Sequence, residues 1–434
     1  MFRLPGVYGL GDYAMTHDAG YAALVGIDWA DTKHDYCLRV MEADQEEYGV
    51  MGHLPEAIDH WARALAARFP GKKIAVCLEQ SKGSLIYALL KYDCLVLYPI
   101  NPRMLAKFRE ALAPSGKKDD PADAQLLLEL VSKHREKLKP WRPADEHTRT
   151  LQFFVEHRRK LVNDKTRLTN RLTSVLKAYF PQVLCWFAAL DTPLVCDFLK
   201  RWPTLEAVQQ TDDATLRTFF QAHHAHNRVI NQRRMAALRQ AIPATTDQAV
   251  IRASVMLVHA LVEQVGCLTE AIARFDKEID ALTRSHEDFP IFTSLPGAGP
   301  VHASRLISAL GTDRSRYEHV EDLLTFTGIA PVIERSGKIT VTHFRWFCPT
   351  FLRQSFHEFA GQSIQHSQWA KAFYCQQRTR GKSHQAAVRS LAFKWARIVF
   401  QLWKNRMPYH EQIYVAALQR RGSPLWQVMA AQQA

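Results

Sequence analysis

The strongest constraint on the fold is an ordered change of hydrophobic period across the first third of the chain. ALVGIDWA (23 to 30) reads as a buried strand, HDYCLRVM (34 to 41) alternates as its hairpin partner, and EEYGVMG (46 to 52) supplies a third strand. From Pro55 to Phe69 the period is that of a helix. Strands and helices then take turns: KIAVCLEQ (73 to 80), GSLIYALLKYD (83 to 93), CLVLYPI (94 to 100), PRMLAKFREALA (102 to 113) and a helix opening at Pro121. Strands joined by short turns pair antiparallel, whereas strands separated by a helix return parallel. The order therefore predicts a mixed sheet covered by helices over residues 21–144. Residues 1–20, rich in glycine and polar side chains, carry no period and are expected to form a loose arm.

From about residue 145 the strand signals stop. Leu151, Phe154, Leu161, Leu168, Leu172, Val175 and Tyr179 make one heptad stripe, interrupted by Arg158 and Lys165. A second stripe, Val258, Leu261, Val265, Leu268, Ile272, Phe275, Ile279 and Leu282, keeps strict 3 and 4 spacing. Heptads do not say whether the partner is in the same chain, so a coiled coil between chains and a bundle within one both satisfy them. The segment 183–246 between the stripes reads as shorter helices, an insert in a helical middle of 145–288. Beyond it, 289–434 reads as a mainly helical third part. It holds SLPGAGPVHASRLISAL (294 to 310), with the glycine turn of a helix-hairpin-helix or of a plain helical corner, and a hairpin at ERSGKITVTH (334 to 343). The fold class expected is thus α/β plus all-α.

The chain carries +13 at neutral pH with a pI of about 9.4, which points to a polyanionic partner. The excess is concentrated: between Arg335 and Arg406 thirteen Lys and Arg face one acid, Glu358. Arg335, Lys338, Arg345, Arg378, Arg380 and Lys382 are the candidates for nucleic-acid contact, with solvated surface charge as their ordinary alternative. Phe344, Trp346, Phe347, Trp369, Phe373, Tyr374, Trp395 and Trp403 could stack on bases, although core packing is the commoner use. Uninterrupted apolar runs such as CLVLYPI fall far short of the ~20 residues of a membrane helix, and the N-terminus lacks the plan of a signal peptide. The eight cysteines show no CxxC and no zinc spacing, as expected of reduced thiols in a cytoplasmic protein. The one dense histidine group, HHAH at 223 to 226, sits in a polar helical context that suits a surface.

Carboxylates in unusual settings narrow the function. Asp28 lies inside the first strand, where burying an unpaired charge is expensive, and Glu79 ends the strand AVCLEQ. In GKKDDPADAQLL (116 to 127), Pro121 suits the first helical position. Asp120 is then a natural N-cap, with Asp123 on the same face of the first turn. Taken alone, that pair is ordinary capping. With two further acids at strand ends, it is also the oxygen-rich donor set of a two-metal site.

The order strand-Asp, strand-Glu, Asp-x-x-Asp-Ala resembles the DEDD transposases of bacterial insertion sequences, the one-ten family of bridge-RNA-guided recombinases. GIDWADTKHD, CLEQ, KKDDPADAQLL, LPGAGP and LLTFTGIAPVIERSGK carry the resemblance, which covers nearly all of the chain. It implies an RNase H-like, RuvC-like catalytic domain and a C-terminal transposase domain. It implies Asp28, Glu79, Asp120 and Asp123 as ligands of Mg2+, with Asp119 outside the register, and Ser336 as a nucleophile. It further implies donor and target DNA, a structured noncoding guide (bridge) RNA, and a homo-oligomer, dimer to tetramer, held by the coiled coil. No membrane is involved, and the action is on the nucleoid in the cytoplasm. On the residues alone, Ser336-Gly337 is equally a hairpin turn. A hydrolytic junction resolvase and a non-catalytic nucleic-acid-binding protein stay open beside the transposase.

Overall fold

The computed structural model describes residues 20–43, 45–79, 83–112, 120–337, 339–346 and 348–433. The chain forms two compact units, one up to Pro143 and one from Ala144.

In the first unit β1 (Ala23–Trp29), β2 (Lys33–Val40) and β3 (Gln45–Gly52) pair antiparallel. Three residues between β1 and β2 leave the chain no choice but to turn back. Helix α1 (Pro55–Arg68) then carries it from the β3 edge across to β4 (Ile74–Leu78), which runs parallel to β1. Helix α2 (Ser84–Leu89) returns it to β5 (Leu95–Pro99), parallel again, and α3 (Pro102–Leu112) and α4 (Asp120–Lys133) follow. The strand order is β3-β2-β1-β4-β5, a mixed sheet as expected.

Both faces of the central strands are covered. Ala23, Val25 and Ile27 point to α1 and α2, where Ile58, Leu65 and Leu85 meet them. Leu24, Ala75 and Cys77 point to the opposite face, against Ala124, Leu127, Leu128 and Val131 of α4. Burial on two sides explains why β1 and β4 are apolar without alternation. Leu127 and Leu128, wholly buried, stabilise this layer by about 2 kcal/mol each.

The second unit opens with α5 (Glu146–Tyr179), capped by Asp145, whose carboxylate accepts from the backbone N of Thr148. Short helices α6 (Gln182–Trp186), α7 (Pro193–Arg201), α8 (Leu205–Gln209), α9 (Asp213–Ala222) and α10 (Arg228–Gln240) lead to α11 (Gln248–Arg284). Leu151 and Val155 share a core with Ile279, while Leu172 and Leu176 share one with Val258 and Leu261. The two heptad stripes therefore run antiparallel and are each other's partner. The alternative of a bundle within one chain therefore accounts for both stripes. The interruptions of the first stripe are ion-paired, Arg158 to Asp276 and Lys165 to Asp191. Helix α11 is long and apolar enough to span a membrane by length and composition, at a mean hydropathy of 1.4 over its best window. Scattered charges hid this from a search for uninterrupted runs.

Beyond α11 come α12 (Phe289–Thr293), α13 (Gly299–Leu310), α14 (Val320–Phe326), the hairpin β6 (Val332–Ser336) and β7 (Ile339–His343), and α15 (Thr350–Ser363). Helices α16 (Gln368–Thr379), α17 (His384–Lys404), α18 (Glu411–Arg420) and α19 (Pro424–Gln433) complete the unit. One core joins the helices among these elements to the near ends of α5 and α11. Trp369, Trp395 and Trp403 are fully buried in it, each indole N–H satisfied: by Tyr409, Ser363 and the Gly311 carbonyl, all at 2.7 Å. They are core residues and not stacking platforms. Trp346 is 72% exposed, and Phe344 lies between the guanidinium groups of Arg353 and Arg389. Phe347 lies outside the described residues.

Candidate active site

The register of β1 on β4 sets the site. Ile27 is level with Leu78, so Asp28 and Glu79, the next residue of each chain, stand side by side where the two parallel strands end. Alternation along the strands puts both on the face of Leu24 and Ala75, under α4. At Gly26 the helix comes so close that a Cβ would sit 2.1 Å from the Ala124 carbonyl oxygen and 2.4 Å from the Leu128 nitrogen. One turn later Ser132 Oγ accepts from Arg39 Nη1 at 2.8 Å, and Arg39 is level with Leu24. Helix α4 thus runs against the direction of β1, and its first turn, with Asp120 and Asp123, lies toward the Asp28 end. Helix α4 is described from Asp120 onward, with Asp120 already helical; Asp119 lies outside the described residues.

Asp123 is 1% exposed, partly buried Asp120 is not so enclosed, and the buried carboxylate has a full partner. Arg109 of α3 donates Nε to Oδ1 at 2.7 Å and Nη2 to Oδ2 at 2.6 Å. A buried carboxylate is tolerable only when paired in this way. Nothing in local spacing connects Arg109 with Asp123, so sequence reasoning passed over it.

Asp35 was passed over as well. It is the cross-strand neighbour of Asp28 and 6% exposed. Among the described residues its Oδ2 takes no hydrogen bond, and the half-exposed Lys33 ammonium stands 3.3 Å away. Asp35, Asp28 and Glu79 therefore form a row across β2, β1 and β4. An acid among inward positions of HDYCLRV was the available signal.

Carboxylate oxygens are the donors that hard divalent cations take, so the chemistry of the set fits such an ion. Among the described residues, however, no three His, Cys, Asp or Glu side chains converge on one point as a metal cage. Arg109 is the cation that Asp123 holds in this conformation.

Ser336 lies in the second unit, at the end of β6 opposite Ile339, exposed and beside Gly337, whose φ of +56° makes the tight turn. Among the described residues its hydroxyl has no hydrogen-bond partner. Arg335, Arg378, Arg380 and Lys382 are exposed; Arg378 also donates to the Lys382 carbonyl, and Lys382 to Ser390. Arg345 is partly buried and donates to the Ala330 carbonyl. Lys338 lies outside the described residues.

Two family models match the chain, a DEDD transposase model over residues 25–181 and a model of the IS116/IS110/IS902 transposase family over 290–375. Together they span more than half of it. The chain belongs to the IS110 family of transposases. It is 25% identical over 91% of its length to a mini-circle protein of Streptomyces coelicolor provisionally named as the transposase for IS117, covering 96% of that protein. It is 26% identical to a 44.8 kDa protein of insertion element IS116 of Streptomyces clavuligerus, over 76% of this chain and 82% of the other. A 43.6 kDa protein of insertion element IS110 of S. coelicolor is 24% identical over 79% and 86%. In this transposase the first model contains all four acids and the second contains Ser336, Arg335 and Arg345, whereas Arg378, Arg380 and Lys382 fall beyond both.

Proposed function

We propose that this transposase exchanges DNA strands through a covalent serine intermediate, with an RNase H-like first unit supplying Asp28, Glu79, Asp120 and Asp123 as ligands of Mg2+. The observation that carries the reading is the register of β1 and β4. It brings two acids from distant parts of the sequence to one sheet end, and α4 adds two more at its first turn. When bound, the divalent ion supplies charge neutralisation at the phosphate and polarises its oxygens. Asp123 would hold the ion only when released from Arg109.

Ser336 Oγ attacks the phosphorus of a DNA phosphodiester and loses its proton. The Oγ–P bond forms, the P–O3′ bond breaks, and the departing 3′ oxygen takes up a proton, leaving a phosphoserine link and a free 3′ hydroxyl. Arg335, Lys338, Arg345, Arg378, Arg380 and Lys382 hold phosphates. A structured noncoding guide RNA selects donor and target by base pairing, and the protein acts as a homo-oligomer in the bacterial cytoplasm.

A second reading has its own support: among the described residues no side chain hydrogen-bonds to the Ser336 hydroxyl, which suits hydrolysis by water with the serine as a turn residue. Incubating protein, guide RNA, Mg2+ and labelled DNA, then resolving the products on a denaturing gel, decides between them. A protein-DNA adduct in wild type that disappears in Ser336→Ala is expected. Cutting by Ser336→Ala without any adduct would establish hydrolysis instead.

A further inference from the structure

The loop that leads from β7 to α15 carries Trp346, whose 72% exposure exceeds that of any other described Phe, Tyr or Trp. Every other described aromatic ring of the basic stretch from Arg335 to Arg406 is buried or partly buried.

The backbone on both sides of Trp346 is fixed. Arg353 of α15 donates Nη1 to the Arg345 carbonyl at 2.9 Å and to Cys348 Sγ at 3.3 Å, and Arg345 donates Nε to the Ala330 carbonyl at 3.2 Å. Cys348 in turn presses on Gly328, where φ is +70° and a Cβ would sit 2.2 Å from Sγ. Phe344 braces the indole, with ring centroids 4.9 Å apart and planes at 72°. The guanidinium groups of Arg353 and Arg389 lie 4.5 and 4.6 Å from the Phe344 centroid. A rigid loop thus holds a large apolar ring in water beside two cations.

Charge selects the partner. Glu358, the one acid between Arg335 and Arg406, is held by Arg305 and Arg159, and Glu334 is paired with His343 at 3.1 Å. Among the described residues Arg345, Arg353 and Arg389 meet no carboxylate, and the exposed Arg389 guanidinium makes no hydrogen bond. A protein surface apolar enough to cover the indole would strip water from these groups and give their charge nothing in return. A nucleic-acid strand brings a ring face and a phosphate together. A duplex keeps its base faces inside the stack, so the ring that meets Trp346 belongs to an unpaired base.

Position selects the strand. Ser336 is opposite Ile339, and His343 lies four residue rises further along β7, about 14 Å at about 3.4 Å each. Trp346 follows His343 by three residues, within a few base steps of the hydroxyl. We propose that Trp346 is the stacking platform for one unpaired base of the DNA strand that Ser336 attacks, with Arg389 holding the flanking phosphate. This builds on the reading of Ser336 as the nucleophile.

The test is the affinity of the full-length protein for fluorescein-labelled single-stranded DNA, measured by anisotropy at several salt concentrations. Trp346→Ala should weaken binding about 5- to 150-fold, the loss of one base–aromatic stack, with the salt dependence unchanged, and Trp346→Phe should recover most of it. Arg389→Ala should weaken binding and lower the slope of log Kd against log salt by about one. On a wholly abasic strand, wild type and Trp346→Ala should bind alike. Wild-type affinity in Trp346→Ala, or an equal loss on the abasic strand, overturns the platform. A loss confined to RNA of the same sequence overturns the assignment to DNA, and a lower oligomeric state of Trp346→Ala in light scattering makes the ring a contact between copies instead. Any of these with the Ser336-dependent adduct intact leaves the serine reading standing. An adduct missing from wild type, while Trp346→Ala still weakens binding to DNA, overturns the serine reading and keeps the platform.

Discussion

Arg109 holds Asp123 by both carboxylate oxygens, at 2.7 and 2.6 Å, so that an acid at the buried heart of the proposed metal site already has a cation beside it. Removing one partner of a buried pair leaves the other charge uncompensated and costs about 3–5 kcal/mol. Arg109→Gln should therefore lower the melting temperature in EDTA, and Mg2+ or Mn2+ should raise it by more than in wild type. Equal cation shifts in the two proteins would remove Asp123 from the ligand set.

The closeness of α4 to β1 gives a second prediction. A methyl at position 26 meets backbone atoms of Ala124 and Leu128, which cannot rotate away. Gly26→Ala should cost roughly 1–3 kcal/mol in chemical denaturation through forced displacement of the helix. DNA processing should fall in parallel, because Asp120 and Asp123 ride on that helix. A variant with full activity and wild-type stability would show that the contact is loose.

The acid row separates into roles by substitution. Asp28→Asn and Glu79→Gln should each abolish strand processing while leaving the circular dichroism spectrum intact. Asp35→Asn, one strand further out, should retain the fold and reduce activity less, with the loss recovered at raised Mg2+ if Asp35 only shapes the field around Asp28. Intact processing in Glu79→Gln would sink the metal-site assignment.

Asp145 predicts an acid limb in stability. Burial alone would raise its pKa, but hydrogen bonds from Thr148 and Thr312 outweigh it and bring the value down to about 2. A carboxylate with a folded pKa below its unfolded value of about 3.9 stabilises above that pH, and the contribution is lost as pH falls from about 4 to 2. Asp145→Asn keeps a capping oxygen for α5 but cannot titrate, so stability measured against pH should fall less steeply in that window. Asp145→Ala should cost about 1 kcal/mol at neutral pH.

Much of this architecture is legible in the chain. Period-2 and period-3.6 runs located β1 to β5 and the helices between them, because core burial ties local pattern to face. The heptads of α5 and α11 announced two long helices, and Ser336-Gly337 announced a hairpin, since each depends on residues adjacent in sequence. The identity of the partner was not legible. A heptad records an apolar seam and not what covers it, so only the fold shows that the stripe of Val258 and Leu261 lies on that of Leu172 and Leu176 in the same chain. The same holds for Trp369, Trp395 and Trp403, whose composition is compatible with base stacking and whose positions are in the core.

The sequence by itself determined the order of strands and helices, the basic C-terminal stretch and the acids at strand ends, because these follow from propensity, period and charge along the chain. Tertiary structure alone decided that Asp28 stands level with Glu79 and Asp35, that α4 runs against β1 over Gly26, and that Asp123 belongs to Arg109. Register, helix direction and long-range ion pairs are properties of packing between segments, and no local pattern encodes them.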